Sequence, residues 1–127
     1  MIHLKVHTSS FLDLVEECRK HIEETNMDAV RNRQLNGESF YLIDVREDHE
    51  WIHGHLPGAI HLGKGIIERD IENIIPDKEA ELLLYCGGGY RSALAAYNLK
   101  KMGYTKAISI DGGFRAWVNN GFPIEKE

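Results

Sequence analysis

The segment Leu82-Leu83-Leu84-Tyr85-Cys86-Gly87-Gly88-Gly89-Tyr90-Arg91-Ser92 constrains the fold more than any other stretch of the chain. Leu82 to Cys86 is an apolar run that starts after Glu81 and stops at glycine, so it reads as a strand buried on both faces. Such strands belong to parallel sheets covered by helices on both sides. The three glycines form a turn, and Ser92 to Met102 reads as a helix stopped at Gly103. A buried strand that turns directly into a helix is half of a βαβ unit, and it sets the class of the whole chain.

The rest of the chain repeats that alternation. Ser9 and Ser10 can cap a helix carrying Phe11, Leu14, Val15, Cys18 and Ile22 at helical spacing. A second helix over Met27 to Leu35 ends at Asn36-Gly37, and Phe40 to Val45 follows as a strand. A Gly/His/Pro-rich loop leads to a short strand near Ala59 to His61, a helix near Ile66 to Asn73 and a break at Pro76-Asp77. Lys106 to Ile110 reads as a further strand and Phe114 to Asn119 as a last helix. The prediction is an α/β domain with a mostly parallel central sheet, helices on both faces and right-handed crossovers. With 127 residues the chain has room for one core. In such sheets active sites lie at the carboxyl ends of strands, which selects the turns after Asp44 and at Cys86.

Charge narrows the function. Fifteen Lys+Arg against twenty Asp+Glu give a net charge of −5, which leaves no general field to hold nucleic acid or an anionic membrane surface. No apolar run approaches the roughly 20 residues a membrane span needs, and Met1 to His7 has no apolar export core, so the cytoplasm is the expected compartment. Two cysteines are too few for a disulfide framework.

The glycine turn carries most of the chemistry. Gly87 to Gly89 allow backbone conformations that a Cβ forbids, and the expected result is a cradle of N–H groups at a helix start. That cradle and the helix dipole stabilise a thiolate on Cys86 or an anion above it, making the sulfur nucleophilic at neutral pH. No Lys follows the last glycine, so the turn is not a nucleotide phosphate loop.

At this point the chain resembles the rhodanese-like domains, single-domain sulfurtransferases among them. The resemblance rests on three segments in the family's order. They are Cys86-Gly87-Gly88-Gly89-Tyr90-Arg91-Ser92; Asp44-Val45-Arg46 with Glu50-Trp51 and Gly54-His55-Leu56-Pro57-Gly58-Ala59; and Gly112-Gly113-Phe114-Arg115-Ala116-Trp117 with Gly121-Phe122-Pro123. It covers roughly residues 27 to 124, so residues 1–26 are an N-terminal helical extension and 27–127 the rhodanese-like domain. The resemblance implies a sulfurtransferase that carries sulfane sulfur as a persulfide on Cys86, by double displacement and without a cofactor. The N–H groups of Gly87, Gly88, Gly89, Tyr90, Arg91 and Ser92 would bind the anionic sulfur, with Asp44, Arg46 and His55 in support. The donor and acceptor are small molecules or proteins: thiosulfate, mercaptopyruvate and a protein persulfide all remain as donors. Glu50 occupies the place of the family's substrate-binding arginine, which weighs against tight thiosulfate binding.

The competing readings are a sulfur-carrier or regulatory binding module and, behind it, a phosphatase or arsenate reductase. Phosphatases on a similar fold use a Cys-x₅-Arg ring, whereas Arg91 follows Cys86 after four residues and closes a smaller one. His49, His53, His55 and His61 lack the paired cysteines of a structural zinc site, so no metal is assigned. Cys18, on an apolar helix stripe, reads as a buried small hydrophobe rather than a resolving thiol.

Overall fold

The computed structural model describes residues 6–127. Its strands are β1 (Glu23–Asn26), β2 (Tyr41–Asp44), β3 (Ile60–His61), β4 (Leu82–Tyr85) and β5 (Ala107–Asp111). Its helices are α1 (Ser9–Arg19), α2 (Met27–Leu35), α3 (Asp48–His53), α4 (Ile67–Ile74), α5 (Tyr90–Lys101) and α6 (Gly113–Asn119). The strands form one sheet in the order β1-β5-β4-β2-β3, and every pairing is parallel.

The position of β4 follows from its sequence. All four of its residues are buried, and they alternate between two cores. Leu82 and Leu84, continued by Cys86, pack with Ile67 and Ile71 of α4 and Ala95, Ala96 and Leu99 of α5. Leu83 and Tyr85 face the other way, onto Met27 and Val30 of α2 and Trp117 of α6. Burial of each leucine contributes roughly 1.5–3 kcal/mol, which holds β4 at the sheet centre and fixes where Cys86 emerges. Helix α1 lies against α5 on the first face.

Three local features depart from the sequence expectation. Strand β1, Glu23-Glu24-Thr25-Asn26, has no apolar residue to announce it; it is an edge strand made by backbone pairing to β5, with Glu23 opposite Ile108 and Asn26 opposite Asp111. The stretch expected as a loop after Arg46 contains the one-and-a-half-turn helix α3. Glu47 and Glu50 close it with reciprocal side-chain to backbone bonds, a capping box whose glutamate at the N-cap replaces the usual Ser or Thr. Helix α1 is capped by Thr8 rather than Ser9 or Ser10, Thr8 Oγ1 accepting from Phe11 N–H at 3.3 Å.

The chain leaves β2 toward β3 on one side and β4 toward β5 on the other, so a crevice opens outside the carboxyl ends of β2 and β4. Among the described residues, no helix is long and apolar enough to cross a membrane.

Candidate functional site

Cys86 stands at the carboxyl end of β4, 1% exposed. Its Sγ accepts hydrogen bonds from the backbone N–H groups of Gly89 at 3.1 Å and Ser92 at 3.4 Å. Ser92 Oγ lies 3.6 Å from the sulfur and shares a 2.8 Å bond with Ser109 Oγ of β5. Gly89, at φ +104°, turns the chain back so that its N–H meets the sulfur, and α5 starts at the next residue. The sulfur therefore sits over the positive end of a three-turn helix. Two N–H donors and that dipole are thus aimed at the sulfur. Of the loop groups named from the sequence, the N–H groups of Gly89 and Ser92 reach the sulfur itself; those of Gly87, Gly88, Tyr90 and Arg91 make no bond to it.

The loop is braced from below by α6. Phe114 N–H donates to Cys86 O at 2.7 Å and Arg115 N–H to Gly87 O at 3.0 Å. This close approach needs glycine at position 113, where φ is +55° and a Cβ would stand 2.8 Å from Gly87 O and closer still to Cys86 O. The Gly112-Gly113 pair of the third sequence segment thus serves the cysteine loop directly.

Asp44 and Arg46 pair with each other at the end of β2. Arg46 Nε and Nη2 donate to the carboxylate at 2.8–3.1 Å, and Nη2 also bonds Gly54 O at 2.6 Å. The Asp44 side chain is fully buried and that of Arg46 is 4% exposed. The Arg46 guanidinium lies 4.0 Å from the Phe114 ring centroid, linking the β2 turn to the helix that braces the cysteine loop. His55 is placed in the turn, its ring stacked 3.5 Å from Trp51 and its Nδ1 3.2 Å from Trp51 O. His61 also stacks on Trp51, at 4.9 Å, and bonds Arg46 O through Nε2 at 2.8 Å. These histidines are engaged with an indole and the backbone, and among the described residues no cluster of three or more His, Cys, Asp or Glu side chains is arranged to hold a metal.

Arg91 does not turn onto the sulfur. Its Nη1 and Nη2 reach the Glu50 carboxylate at 2.9 and 3.3 Å. Burial alone would push the Glu50 carboxyl up, but hydrogen bonds from Arg91 and from Glu47 N–H, with the charges of Arg91 and Arg46, outweigh it and bring it down to about 2. The guanidinium beside Cys86 is thereby already neutralised.

Above the loop opens a cleft of about 730 Å³. Besides the cysteine loop it is lined by Phe114, Arg115 and Val118 of α6 and by His7 and Phe11 at the start of α1. Phe114 and Tyr90 can be named from the sequence as pocket walls, whereas His7, Phe11, Arg115 and Val118 escape sequence reasoning. Phe11 belongs to an apolar stripe that reads simply as packing, and Arg115 is one arginine among many. Ser109 carried a signal: it is a hydroxyl in the otherwise apolar run Ala107-Ile108-Ser109-Ile110. Cys18 is buried in α1, and burial pushes its thiol up, away from the thiolate form.

Comparison with known proteins gives a consistent picture. The family profile described as Rhodanese-like domain matches residues 14–120. YtwF of Bacillus subtilis, provisionally named a sulfurtransferase, is 35% identical over 102 residues, which make up 80% of this chain and 96% of that protein. YrkF of the same organism, provisionally named a sulfur carrier, is 32% identical over 102 residues, 80% of this chain but 54% of YrkF, so the chain spans about half of that relative. Among solved structures, RPA3614 of Rhodopseudomonas palustris superposes with a TM-score of 0.82 at 29% identity, covering 98% of this chain and 100% of the other. That protein is described as of unknown function, with tyrosine phosphatase activity suggested for it.

Proposed function

Because the chain belongs to the rhodanese-like domain family, we propose that it is a sulfurtransferase carrying sulfane sulfur as a persulfide on Cys86. The observation that carries this reading is the cysteine sulfur accepting two backbone N–H bonds at a helix start beneath an open cleft. In the first half-reaction the Cys86 thiolate attacks the outer sulfur of the donor, the donor's S–S bond breaks, and its remainder leaves with the electron pair. With thiosulfate the products are the cysteine persulfide anion and sulfite. In the second half-reaction an acceptor nucleophile takes the outer sulfur, and the thiolate returns. Cyanide, as acceptor, leaves as thiocyanate. Charge balances in each step and no cofactor enters. The N–H groups of Gly89 and Ser92 hold the cysteine sulfur, the other loop N–H groups of Gly87, Gly88, Tyr90 and Arg91 are available to the outer sulfur of the persulfide, and Asp44, Arg46 and His55 position the turn beside it.

A phosphatase reading, which the suggestion made for RPA3614 keeps open, asks for an arginine over the anion. Here the loop is one residue short of the phosphatase ring and its arginine is held by Glu50. The sulfur reading is tested by mass spectrometry after incubation with thiosulfate. A gain of about 32 Da, one sulfur, should appear and should map to Cys86. Cys86→Ser should abolish it and Cys18→Ser should retain it. An adduct persisting in the Cys86→Ser protein overturns the assignment.

A further inference from the structure

The cleft is far larger than an inorganic donor requires. At about 730 Å³ it falls in the range of roughly 300–1,000 Å³ typical of sites for organic ligands. Its walls are unequal in character. On one side the start of α1 lies against the cysteine loop: the Tyr90 ring stands 4.7 Å from His7 and 6.2 Å from Phe11, with His7 and Phe11 5.1 Å apart. Arg19 also holds Tyr90, its guanidinium 5.4 Å from that ring while it pairs with Glu16, Glu24 and Asp111. Phe114 and Val118 of α6 add apolar surface to the cleft. A small, strongly hydrated oxyanion gains little from such walls, whereas a carbon skeleton does.

Charge is also unevenly placed. Arg91 is matched by Glu50, and Arg46 by Asp44. Arg115, exposed at the first turn of α6, makes no ion pair and no side-chain hydrogen bond among the described residues. Its guanidinium leans over the loop, since a Cβ on Gly88 would lie 3.3 Å from Nη1. Among the described residues the cleft therefore offers one unmatched guanidinium over the Gly88 turn of the cysteine loop and an aromatic wall beside it.

We propose that Arg115 and Phe11 are the specificity-determining residues of this site, selecting an organic persulfide that bears a carboxylate. Arg115 binds the carboxylate, and Phe11 with Tyr90 packs on the carbon body. This deepens the sulfurtransferase reading and rests on it. The Cys86 thiolate attacks the outer sulfur of R–S–SH, the S–S bond breaks, R–S⁻ leaves with the electron pair, and Cys86 is left as Cys–S–SH with the proton on the transferred sulfur.

The test measures second-order rate constants for sulfur loading of Cys86, by mass spectrometry, from three donors: the persulfide of 4-(sulfanylmethyl)benzoate, the persulfide of benzyl mercaptan, and thiosulfate. The native protein should prefer the carboxylate-bearing persulfide to the benzyl one by about tenfold, and Arg115→Gln should erase that preference, as expected for one charge-assisted hydrogen bond. Phe11→Ala should lower the preference for the aryl carboxylate over thiosulfate by about five- to tenfold, and Phe11→Leu, which keeps the fold and part of the surface, should recover most of it. Equal rates for the two persulfides in the native protein, or an unchanged ratio in Arg115→Gln, overturns the role of Arg115. A ratio to thiosulfate unmoved in both Phe11 variants overturns that of Phe11. If no donor at all loads Cys86, the sulfurtransferase reading itself falls. Loading from all three with unaltered ratios leaves that reading standing and removes only this proposal.

Discussion

Arg91 and Glu50 lie 41 positions apart and meet at the rim of the cysteine loop, with Nη1–Oε1 at 2.9 Å and Nη2–Oε2 at 3.3 Å. The two-pronged contact fixes a guanidinium that would otherwise be free to bind an incoming anion. Glu50 is held in turn by Glu47 N–H, 3.0 Å from Oε1, as part of the α3 capping box. A helix cap and the electrostatics of the cysteine cleft thus share one carboxylate.

Removing the charge on Glu50 while keeping its shape should release Arg91. Glu50→Gln retains an oxygen acceptor for the cap but no longer neutralises the guanidinium. A freed charge-assisted hydrogen bond contributes roughly 1.5–3 kcal/mol, and about 1.4 kcal/mol is tenfold in affinity. Thiosulfate:cyanide turnover should therefore need high thiosulfate in the native protein, and the KM for thiosulfate should fall roughly ten- to hundredfold in Glu50→Gln. An unchanged or higher KM would mean that Arg91 does not reach the donor once released.

The same pair gives an acid dependence of known sign. The Glu50 carboxyl is depressed from 4.5 to about 2 in the folded protein, so its contribution to stability is fully present above pH 4.5 and is lost as pH falls toward 2. Urea midpoints of the native protein and Glu50→Gln should differ most at pH 5 and converge between pH 4.5 and 2. A difference that stays constant through that window would separate the stability effect from the ionisation of Glu50.

How much of this was legible in the sequence depends on which force sets each element. Strand β4 and the cysteine turn announce themselves, because a strand buried on both faces must be apolar throughout and a backbone cradle needs glycine. Helices α2, α4 and α5 follow from apolar spacing and stop signals. Strand β1 does not, since Glu23 to Asn26 are held by backbone pairing to β5 and no side-chain pattern marks them. Helix α3 is hidden by its histidines and by a cap built on Glu47 instead of a hydroxyl residue. In the candidate site, Cys86 and the loop stand out as candidates from the local glycine spacing and the resemblance it carries. Whether Arg91 pointed at the sulfur could not, because the answer lies in Glu50, a residue brought close only by the crossover from β2 to β4. Arg115 and Phe11 arrive by the same long-range route, one from each end of the chain.

The buried Asp44–Arg46 pair makes a separate prediction about stability. Deleting one partner leaves the other as an uncompensated charge, whereas replacing both with apolar residues of similar volume removes the desolvation cost as well. Asp44→Ala should lose roughly 3–5 kcal/mol in chemical denaturation. The double variant Asp44→Leu with Arg46→Met should recover a substantial part of that loss, although Gly54 O then loses its 2.6 Å donor. A double variant no more stable than Asp44→Ala would show that the Gly54 and Phe114 contacts of Arg46, rather than its charge balance, hold the turn.

Gly113 gives the most local test of how the cysteine loop is built. Alanine there meets two obstacles: φ of +55°, and backbone atoms of Cys86 and Gly87, with Gly87 C and O both 2.8 Å from the added Cβ. Neither is the end of a flexible side chain, so the strain is relieved only if α6 and the loop separate. That separation stretches the Phe114 N–H to Cys86 O and Arg115 N–H to Gly87 O bonds, which hold the loop beneath the sulfur. Gly121→Ala is the matched control, since its φ is +72° but no atom lies within 4 Å of its Cβ. The control should cost about 1 kcal/mol, the conformational part alone. Gly113→Ala should cost at least about 2 kcal/mol more, in the range of a core steric clash. It should also slow sulfur loading of Cys86 under conditions where both variants remain folded, because the displaced loop no longer presents the Gly89 and Ser92 N–H groups to the sulfur. Equal stabilities for the two variants, or native loading rates in Gly113→Ala, would show that the loop keeps its shape without the brace from α6.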